Sequence, residues 1–405
     1  MMVDGLKGVR VIEVGGAFAM PLAGMLMGSW GAEVIHVEPP GRGDLQRHLL
    51  AAGMAGWARP HKVNYIWEHV DRNKKSLTVN LKSPEGQKII HKLVEESDVF
   101  LNNLRPYEME KFDLEYKTLA KRNPRIIYAN LTGYGRQGAE RNTGGYDSVA
   151  FWARSGVMDL MHEADQPPNI SRPAYGDSIT SQSLLAGVMA ALYMRERSGV
   201  GQEVEVSLYN SAVFALGTDI SGCLISGEDS VRPSQKTMGN PIRNIYPTSD
   251  NRWIMLGMTT SQPYWPSFCE ALDLQALIDD PRYATPDIRA ENSAALIAII
   301  QSVFIAQSYD YWVDVLSRNK LIWAPVKTPL EVTQDEQANA NAFFGEWDHP
   351  TYGKIRMLNN PIKLSKTEAK NRCKAPDLGE HTAEILTGLG YSPEAIEKMK
   401  SDGDI

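Results

Sequence analysis

A repeated strand–helix–strand pattern occupies the first third of the chain. The β-branched run Val9–Val14 is followed by the turn Gly15-Gly16, by helical spacing of apolar residues over Ala19–Trp30, and by a second apolar run at Glu33–Glu38. The alternation continues as far as Arg125–Leu131, so several further strands are predicted. Parallel strands need crossover helices of this kind. The pattern therefore predicts an α/β fold with a doubly wound, Rossmann-like large domain.

The chain of 405 residues is longer than a single hydrophobic core usually organises. A polar stretch rich in Ser, Pro and Gly at 227–243 predicts a boundary between domains. We predict that residues 1–226 form the first part of the large domain, that 227–325 form a smaller α+β domain, and that 326–405 return to complete the large domain. After Trp323 the chain reads as extended, because prolines interrupt it.

A long helix is predicted over Ser181–Ser198, where small and apolar residues occupy most faces and indicate burial. Asp177 follows Gly176 and stands just before this helix, at a place where the helix dipole favours a carboxylate. A helix cap would put an aspartate in the same place. Position alone therefore leaves a capping role and a catalytic role open for Asp177.

Composition excludes several classes of function. A formal net charge of −7 argues against a general nucleic-acid binder, which needs a basic surface. The cysteines lack CxxC spacing, so neither a disulfide framework nor a metal site is predicted; they are Cys223, Cys269 and Cys373. The N-terminus has no apolar targeting segment, and the most apolar stretch, Leu184–Met194, is too short to span a bilayer. We expect a cytoplasmic protein with no membrane partner.

The glycines of the first turn invite a dinucleotide-binding interpretation, because Glu38 follows Gly15 at about the 20-residue distance of a ribose-binding acid. The stretch VGGAFAMPLAG nevertheless lacks the G-x-G-x-x-G spacing that lets the backbone approach a pyrophosphate. The sequence also lacks a Walker loop, a G-x-S-x-G elbow and an H-E-x-x-H helix. We therefore expect no tightly bound cofactor.

Polar and glycine-flanked residues cluster at the predicted strand ends, where open α/β sheets bind ligands. They are Asn73-Lys74-Lys75 with Lys82, Asn103-Leu104-Arg105, Gly133-Tyr134-Gly135, Gly145-Tyr146-Asp147 and Gly176-Asp177. Periodicity alone favours the interpretation of their basic members as solvated surface charges over a role in ligand binding. A local cationic pocket would be needed for any anionic ligand of this acidic chain.

Several longer stretches match a known family. They are GVRVIEVGGAFAMPLAGMLMGSWGAEVIHVEPPGRGD, NKKSLTVNLKSPEG, GYGRQG, YGDSITSQSLLAGVMAALYMRERSGVGQEVEVSL, APVKTPLEV and LGEHTAEIL. In this order they resemble the class III CoA-transferases, the formyl-CoA, carnitine and bile-acid CoA-transferase (CaiB/BaiF) family, over essentially the full chain. The stretches GYDSVAFWARSGVM and QDEQANANAFF look most like the phenyllactate and 2-hydroxyisocaproate CoA-transferases of that family.

The resemblance implies an interlocked homodimer and a reaction between an acyl-CoA and a carboxylic acid. It implies that Asp177 is the nucleophile and forms a mixed anhydride and then an aspartyl-CoA thioester. Coenzyme A would be a substrate rather than a bound cofactor. The implied contacts of its phosphates are Lys82, Arg105 and Lys111, and those of its adenosine side are Ala19, Val79, Asn103 and Leu104. The implied contacts of the acid substrate are Phe18, Tyr146, Gly239 and Asn240.

The chain departs from the formyl-CoA type at three places. Phe18 replaces a glutamine near the reacting carboxylate, Pro39 replaces an arginine after the second strand, and a four-glycine loop appears only as Met238–Pro241. Stabilisation of the anhydride would then come from other groups, such as backbone N–H groups. The departures disfavour small polar acids such as oxalate and favour a bulky apolar acid or a 2-hydroxy acid.

Two alternatives stay open. Racemases of 2-methylacyl-CoA share this pattern but use the histidine of a G-H-D triplet as a base, whereas this chain has Gly145-Tyr146-Asp147. A tyrosine with an ordinary pKa near about 10 is a poor base at neutral pH. The other alternative is a catalytically silent CoA-binding protein, against which the intact Asp177 speaks.

Overall fold

The chain divides into two compact units in a computed structural model that describes residues 4–51, 59, 61–232 and 234–405. The larger unit comprises Met1–Met158, Ile170–Glu228 and Asn339–Ile405. The smaller unit comprises Asp159–Asn169 and Asp229–Ala338. The larger unit is thus built from three separate parts of the chain.

A six-stranded parallel sheet forms the centre of the larger unit. Its strands are β1 (Arg10–Val14), β2 (Glu33–Glu38), β3 (Lys75–Thr78), β4 (Val99–Asn102), β5 (Ile127–Thr132) and β6 (Glu203–Ser207). The order in the sheet is β3-β2-β1-β4-β5-β6, which is the order of dinucleotide-binding folds. All the neighbouring pairs are parallel. The predicted α/β fold with a parallel sheet is confirmed.

Helices connect and cover these strands. Up to residue 226 they are α1 (Ala19–Ser29), α2 (Gln46–Leu49), α3 (Tyr65–Asp71), α4 (Pro84–Glu95), α5 (Pro106–Lys111), α6 (Tyr116–Arg122), α7 (Val157–Leu160), α8 (Tyr175–Ser198), α9 (Leu208–Ala215) and α10 (Gly217–Ser226), with a π-helix at Asp147–Ala153.

Both faces of the sheet are buried, because successive strand residues point to opposite sides. Val11 and Val34 belong to a core with α1 and α8, whereas Ile12 and Ile35 belong to a second core with α4. This two-sided burial explains why the strands read as continuous apolar runs.

Helix α8 differs from the prediction in its first residue and in the burial of its side chains. It begins at Tyr175 rather than Ser181, and it ends at Gly199 in the left-handed conformation. Its side chains Leu184 and Val188 are buried, but Tyr193 and Met194 are 64% and 50% exposed. Small and apolar residues on most faces of the helix predicted its burial, whereas Tyr193 and Met194 lie open in the single chain.

The smaller unit contains an antiparallel sheet in the order β7-β8-β9 with helices packed around it. The strands are β7 (Ile245–Pro247), β8 (Trp253–Leu256) and β9 (Trp323–Pro325). The α-helices are α11 (Trp265–Ala271), α12 (Pro286–Glu291), α13 (Ser293–Phe304), α14 (Tyr309–Arg318), α15 (Pro329–Gln334) and α16 (Glu336–Ala340), and 3-10 turns lie at Gln262–Tyr264, Gln275–Leu277 and Pro281–Tyr283. Its core contains Trp265, Phe268 and Trp312.

The segment after Trp323 is more regular than predicted. Thr328 caps α15 and Pro329 stands in its first turn, where a proline begins a helix instead of extending the chain. An antiparallel hairpin follows, formed by β10 (Phe344–His349) and β11 (Gly353–Leu358). The chain ends with α17 (Thr382–Gly388) and α18 (Pro393–Asp402).

The C-terminal segment is bonded to the edge of the large sheet beside β3. The Thr78 N–H donates to Thr382 Oγ1 over 3.0 Å, and the Asn80 N–H donates to the Asp404 carbonyl over 2.7 Å. Leu386 and Met399 enter the core that α4 covers. The last residues of the chain therefore complete the unit that the first residues begin.

No single helix in the described part of the chain is both long and apolar enough to cross a membrane. Two pairs of consecutive helices meet the criterion only when joined, and each pair is sharply bent.

Candidate active site

A cleft of about 870 Å³ lies at the carboxyl ends of β1 to β5. Residues just after these strands line it, including Gly16 after β1, Pro39 after β2, Val79 after β3 and Gly133 after β5. This is the edge at which open parallel sheets bind ligands. The fold therefore brings together loops that are far apart in the sequence.

Nine of the predicted site residues line this cleft. They are Phe18, Ala19, Val79, Lys82, Asn103, Leu104, Arg105, Tyr146 and Asp177. Lys111 is not among the lining residues of the cleft. Gly239 and Asn240 belong to the smaller unit, where they line a separate cleft of about 310 Å³. The functional roles of all twelve stay predictions.

Asp177 lies in the first turn of α8 and not before the helix, because the helix starts two residues earlier than the aspartate. The N-cap position belongs to Ala174, which has the left-handed φ of 59°. Asp177 is only 9% exposed although it lines the cleft. The Asp177 carboxylate therefore lines the cleft and is nevertheless largely shielded from bulk water.

Gly176 is required by close packing beside this carboxylate. A Cβ atom at this position would lie 2.2 Å from Phe151 Cγ and 2.3 Å from Asp147 Oδ1. Any larger residue would push Asp147 and the aromatic ring away from the start of α8. The Gly-Asp pair therefore places two carboxylates, Asp147 and Asp177, next to each other.

Burial raises the proton affinity of both carboxylates, and the charge of Asp147 adds to the effect at Asp177. Burial, and after it the negative charge of Asp147, raises the pKa of Asp177 to about 7. Burial also raises the pKa of Asp147 to about 6, although the backbone N–H groups at the start of α8, from Ala174 to Asp177, act in the opposite direction. None of these N–H groups reaches either Asp147 oxygen with full hydrogen-bond geometry. Near neutral pH the pair can hold one proton.

Asp147 is a site residue that the sequence reasoning missed. It lines the cleft, it is 7% exposed, and it begins the π-helix. The sequence predicts the triplet Gly145-Tyr146-Asp147 at a strand end but assigns a role only to Tyr146, which is 66% exposed. The signal for Asp147 was a carboxylate two residues after Gly145 in the same triplet.

Asn103 fixes the loop between β1 and α1. Its Nδ2 donates to the Gly16 carbonyl over 2.6 Å, and its Oδ1 accepts from the Gly16 N–H over 3.1 Å. A Cβ atom on Gly15, which has φ 125°, would lie 1.9 Å from this Oδ1. The loop that carries Phe18 and Ala19 is thereby held at the cleft.

Two predicted cations, Arg105 and Lys82, and one that was not predicted, Arg47, follow the strands of the sheet. The Arg105 side chain donates from Nε to Glu108 Oε2 over 3.0 Å and lies 4.8 Å from the ring centroid of Tyr107. Lys82 is exposed, and it lines the cleft in the loop after β3. The Arg47 guanidinium binds the carboxylate of Glu38, the last residue of β2.

Lys74 is a buried ion and not the solvated or ligand-facing cation that its sequence position allowed. Its Nζ lies 2.7 Å from Glu13 Oε1 and 2.9 Å from Asp71 Oδ1. His36 Nδ1 lies 2.6 Å from the same Glu13 oxygen, and His36 Nε2 lies 3.4 Å from Asp44 Oδ2. We call these five residues the buried ion network. It connects β1, β2 and α3 to Asp44, which lines the cleft.

The buried ion network contains ligand atoms of Glu13, His36 and Asp71 that lie close enough to share a metal ion. The Lys74 ammonium already lies between the two carboxylates and supplies the positive charge there. Burial alone would lower the pKa of His36, but the carboxylates of Asp71, Asp44 and Glu13 raise it well above its ordinary value. Two cations thus face three carboxylates in the network, and burial raises the pKa of one of these carboxylates, Asp71, to about 6.

Comparison with known proteins adds the family context. A model of CoA-transferase family III matches residues 6–382. The (R)-2-hydroxy-4-methylpentanoate CoA-transferase of Clostridioides difficile is 30% identical over 395 residues, which cover 98% of this chain and 98% of that protein. The cinnamoyl-CoA:phenyllactate CoA-transferase of Clostridium sporogenes is 31% identical over 402 residues, which cover 98% and 97%. A crystal structure of a CAIB/BAIF family protein from Brucella suis aligns with a TM-score of 0.81 at 28% identity, covering 96% of this chain and 100% of that one.

Proposed function

Since the chain belongs to CoA-transferase family III and is a CoA-transferase, we propose that Asp177 is its covalent nucleophile and that its acid substrate is a bulky apolar or 2-hydroxy acid. The observation that carries the proposal is the buried Asp177 carboxylate at the base of the cleft, with a pKa raised to about 7. A carboxylate with a raised pKa is a stronger base, and its burial reduces the water that would compete with it.

The proposed reaction passes through two covalent intermediates, and both form on the Asp177 carboxylate. The ionised Asp177 attacks the thioester carbonyl of the acyl-CoA, so that a mixed anhydride forms and CoA leaves as its thiolate. The thiolate attacks the aspartyl carbonyl, which gives an aspartyl-CoA thioester and releases the donor acid as a carboxylate. The acceptor carboxylate repeats these two steps in reverse, and Asp177 is regenerated.

Backbone groups at helix starts are the proposed stabilisers of the anionic intermediates. Phe18 contributes no polar atom, but Ala19 begins α1 at the cleft, and the first N–H groups of a helix have no partner within it. The positive end of the α1 dipole acts in the same direction.

We propose that the phosphates of CoA bind near Lys82 and Arg105, which stand on the loops after β3 and β4. Lys111, which is not among the residues that line the cleft, is a further proposed contact of these phosphates. Ala19, Val79, Asn103 and Leu104 are the proposed contacts of the adenosine side, although the Asn103 amide is also bound to the backbone of Gly16.

The proposed acid side of the cleft is aromatic. Phe18 and Tyr146 line it, and Tyr146 is 66% exposed, which leaves its ring free to contact a substrate. Two relatives are named for 2-hydroxy-4-methylpentanoate and for phenyllactate, which are an aliphatic and an aromatic 2-hydroxy acid. Gly239 and Asn240, which belong to the smaller unit, are further proposed acid contacts.

We also propose that the protein is a homodimer, interlocked as the resemblance implies. Leu224 and Ile225 on α10 are 81% and 88% exposed, and Tyr193 on α8 is 64% exposed. Apolar faces of this kind are normally covered by another protein surface. We also propose the domain boundaries that the sequence predicts, at residues 226 and 325.

The proposed chemistry is tested by trapping and by isotope exchange. Incubation with an acyl-CoA and hydroxylamine is expected to convert Asp177 to a hydroxamate, because an anhydride or thioester is open to an external nucleophile. Peptide mass spectrometry would locate the modified residue. Incubation in D2O should leave the α-carbon of the acyl-CoA unlabelled, whereas an added acid should become a CoA ester. Rapid α-deuteration without CoA exchange would instead support a racemase, and the absence of both reactions would support a silent CoA-binding protein.

A change of Asp147 to asparagine is expected to move the acid side of the pH–rate profile. In the unmodified protein kcat/KM should rise with pH through about 7, as Asp177 loses its proton. Asp147→Asn removes the negative charge that, next to burial, raises this pKa. The rise should therefore shift to lower pH. The control is Asp113→Asn, the same change at a residue that does not line the cleft. An unshifted profile in Asp147→Asn would contradict the electrostatic coupling.

A further inference from the structure

Arg105 and Glu108 form an ion pair at the cleft of about 870 Å³ in the larger unit, and both residues line that cleft. Arg105 Nε donates to Glu108 Oε2 over 3.0 Å, and Arg105 Nη2 donates to Glu108 Oε1 over 3.4 Å. The Arg105 backbone N–H donates to the same Oε2 over 3.1 Å, in the capping box that begins α5. The Glu108 carboxylate therefore holds one edge of the guanidinium with both of its oxygens.

Glu108 is ionised at neutral pH and offsets the charge of Arg105. Partial burial would raise the pKa of Glu108, but the hydrogen bonds from Arg105 lower this pKa below its ordinary value. Among the described residues that line the cleft, only Arg105 and Lys82 have cationic side chains. The ion pair thus compensates one of the two cations that an anionic ligand meets there.

The ion pair is open to a ligand, since the Arg105 and Glu108 side chains are 45% and 24% exposed. Arg105 Nη1 donates to no residue within the described parts of the chain, so one edge of the guanidinium is free. A phosphate that binds at this free edge lies beside the Glu108 carboxylate, and like charges repel. A phosphate that binds at Nε and Nη2 must first displace the carboxylate. Glu108 weakens phosphate binding in either position.

We propose that Glu108 sets the affinity of the protein for CoA esters, because its carboxylate competes with a phosphate of CoA for Arg105. The proposal rests on the proposed function in one respect, namely that phosphates of CoA bind near Arg105. It adds to that site a residue that opposes binding instead of supporting it. A CoA-transferase releases a CoA ester at the end of each turnover, and a moderate affinity favours this release.

The test uses Glu108→Gln, which removes the charge and keeps a side-chain oxygen for the capping box. The Kd of CoA, measured by calorimetric titration, is expected to fall about two- to fivefold, as for other exposed ion pairs, and the gain should shrink at high salt. No such gain is expected with an acyl-pantetheine, which lacks the phosphates. The matched control is Glu110→Gln, an equal charge change on the same helix at an exposed residue that does not line the cleft.

A double-mutant cycle with Arg105→Gln completes the test. Arg105→Gln alone should raise the Kd of CoA, and Glu108→Gln should then bring a smaller gain than in the unmodified protein, because no guanidinium is left to compete for. Weaker CoA binding in Glu108→Gln would overturn the proposal, since Glu108 would then hold Arg105 in place for the phosphate. Unchanged CoA binding in this variant would overturn it as well.

Failure of the proposed function gives a different result. If Arg105→Gln leaves the Kd of CoA unchanged, the proposed phosphate site is wrong and the role of Glu108 falls with it. If Arg105→Gln weakens CoA binding but Glu108→Gln does not strengthen it, only the role of Glu108 is wrong. Absence of hydroxamate at Asp177 would contradict the covalent mechanism and leave the CoA-binding results as they stand.

Discussion

Replacement of Asp177 by asparagine is expected to reduce CoA exchange by roughly 10³-fold or more, because the amide cannot act as the attacking carboxylate. The change preserves the shape of the side chain, and it removes a negative charge from beside Asp147. Asp177 has a folded-state pKa raised to about 7, so its ionisation opposes folding above that pH and the effect disappears below its ordinary pKa. The variant should therefore be at least as stable as the unmodified protein at alkaline pH.

Exchange would be measured by mass spectrometry of the CoA esters, and stability by thermal melting followed by circular dichroism. Asp113→Asn serves as the matched control, since Asp113 has a largely exposed side chain and a left-handed φ of 55° that asparagine tolerates. Asp113→Asn should keep normal exchange. Near-normal turnover in folded Asp177→Asn protein would contradict the proposed covalent aspartyl intermediate.

Replacement of Lys74 by methionine is expected to lower the free energy of unfolding by about 3–5 kcal/mol, because it leaves buried carboxylates without their cation. Lys74 is 2% exposed and contacts both Glu13 and Asp71. Methionine fills most of the same volume, so the effect would report the charge rather than a cavity. Denaturant titration followed by circular dichroism would measure it.

The neighbouring Lys75 provides the matched control for this change. Its side chain is 31% exposed and pairs with Glu33 and Glu384, so Lys75→Met should cost about 1 kcal/mol or less. Adding Asp71→Asn to Lys74→Met should restore part of the lost stability, since it removes one of the unpaired charges. Equal losses in Lys74→Met and Lys75→Met would show that burial of the network has little energetic weight.

The sequence predicted the sheet well because its strands are buried on both faces. Glu33–Glu38 was predicted with its observed bounds, and the first strand differs by one residue. Sequence patterns predict the first residue of a helix less well. Helix α8 begins at Tyr175 because Ala174 before it has a left-handed backbone, a conformation that no sequence pattern predicts for an alanine.

Local sequence patterns could not predict contacts between distant parts of the chain. Lys74 and Lys75 are adjacent and chemically identical, yet one is buried against Glu13, 61 positions away, and the other lies at the surface. The pairing of Asp147 with Asp177 likewise depends on Gly176 packing against the π-helix. The resemblance pointed to Asp177, but only the packing shows that Asp147 lies beside it and raises its pKa.

The bonding of Asn80 to Gly403 and Asp404 has a consequence for biosynthesis. Asn80 lines the large cleft, its N–H donates to the Asp404 carbonyl and its side chain donates to the Gly403 carbonyl over 3.1 Å. The ribosome adds Gly403 323 positions after Asn80, so the first strands emerge long before their partner segment does. The N-terminal part of this unit must therefore wait, partly assembled and with its sheet edge open, until that segment has left the ribosomal tunnel. A nascent chain of this protein is exposed to chaperones during that interval.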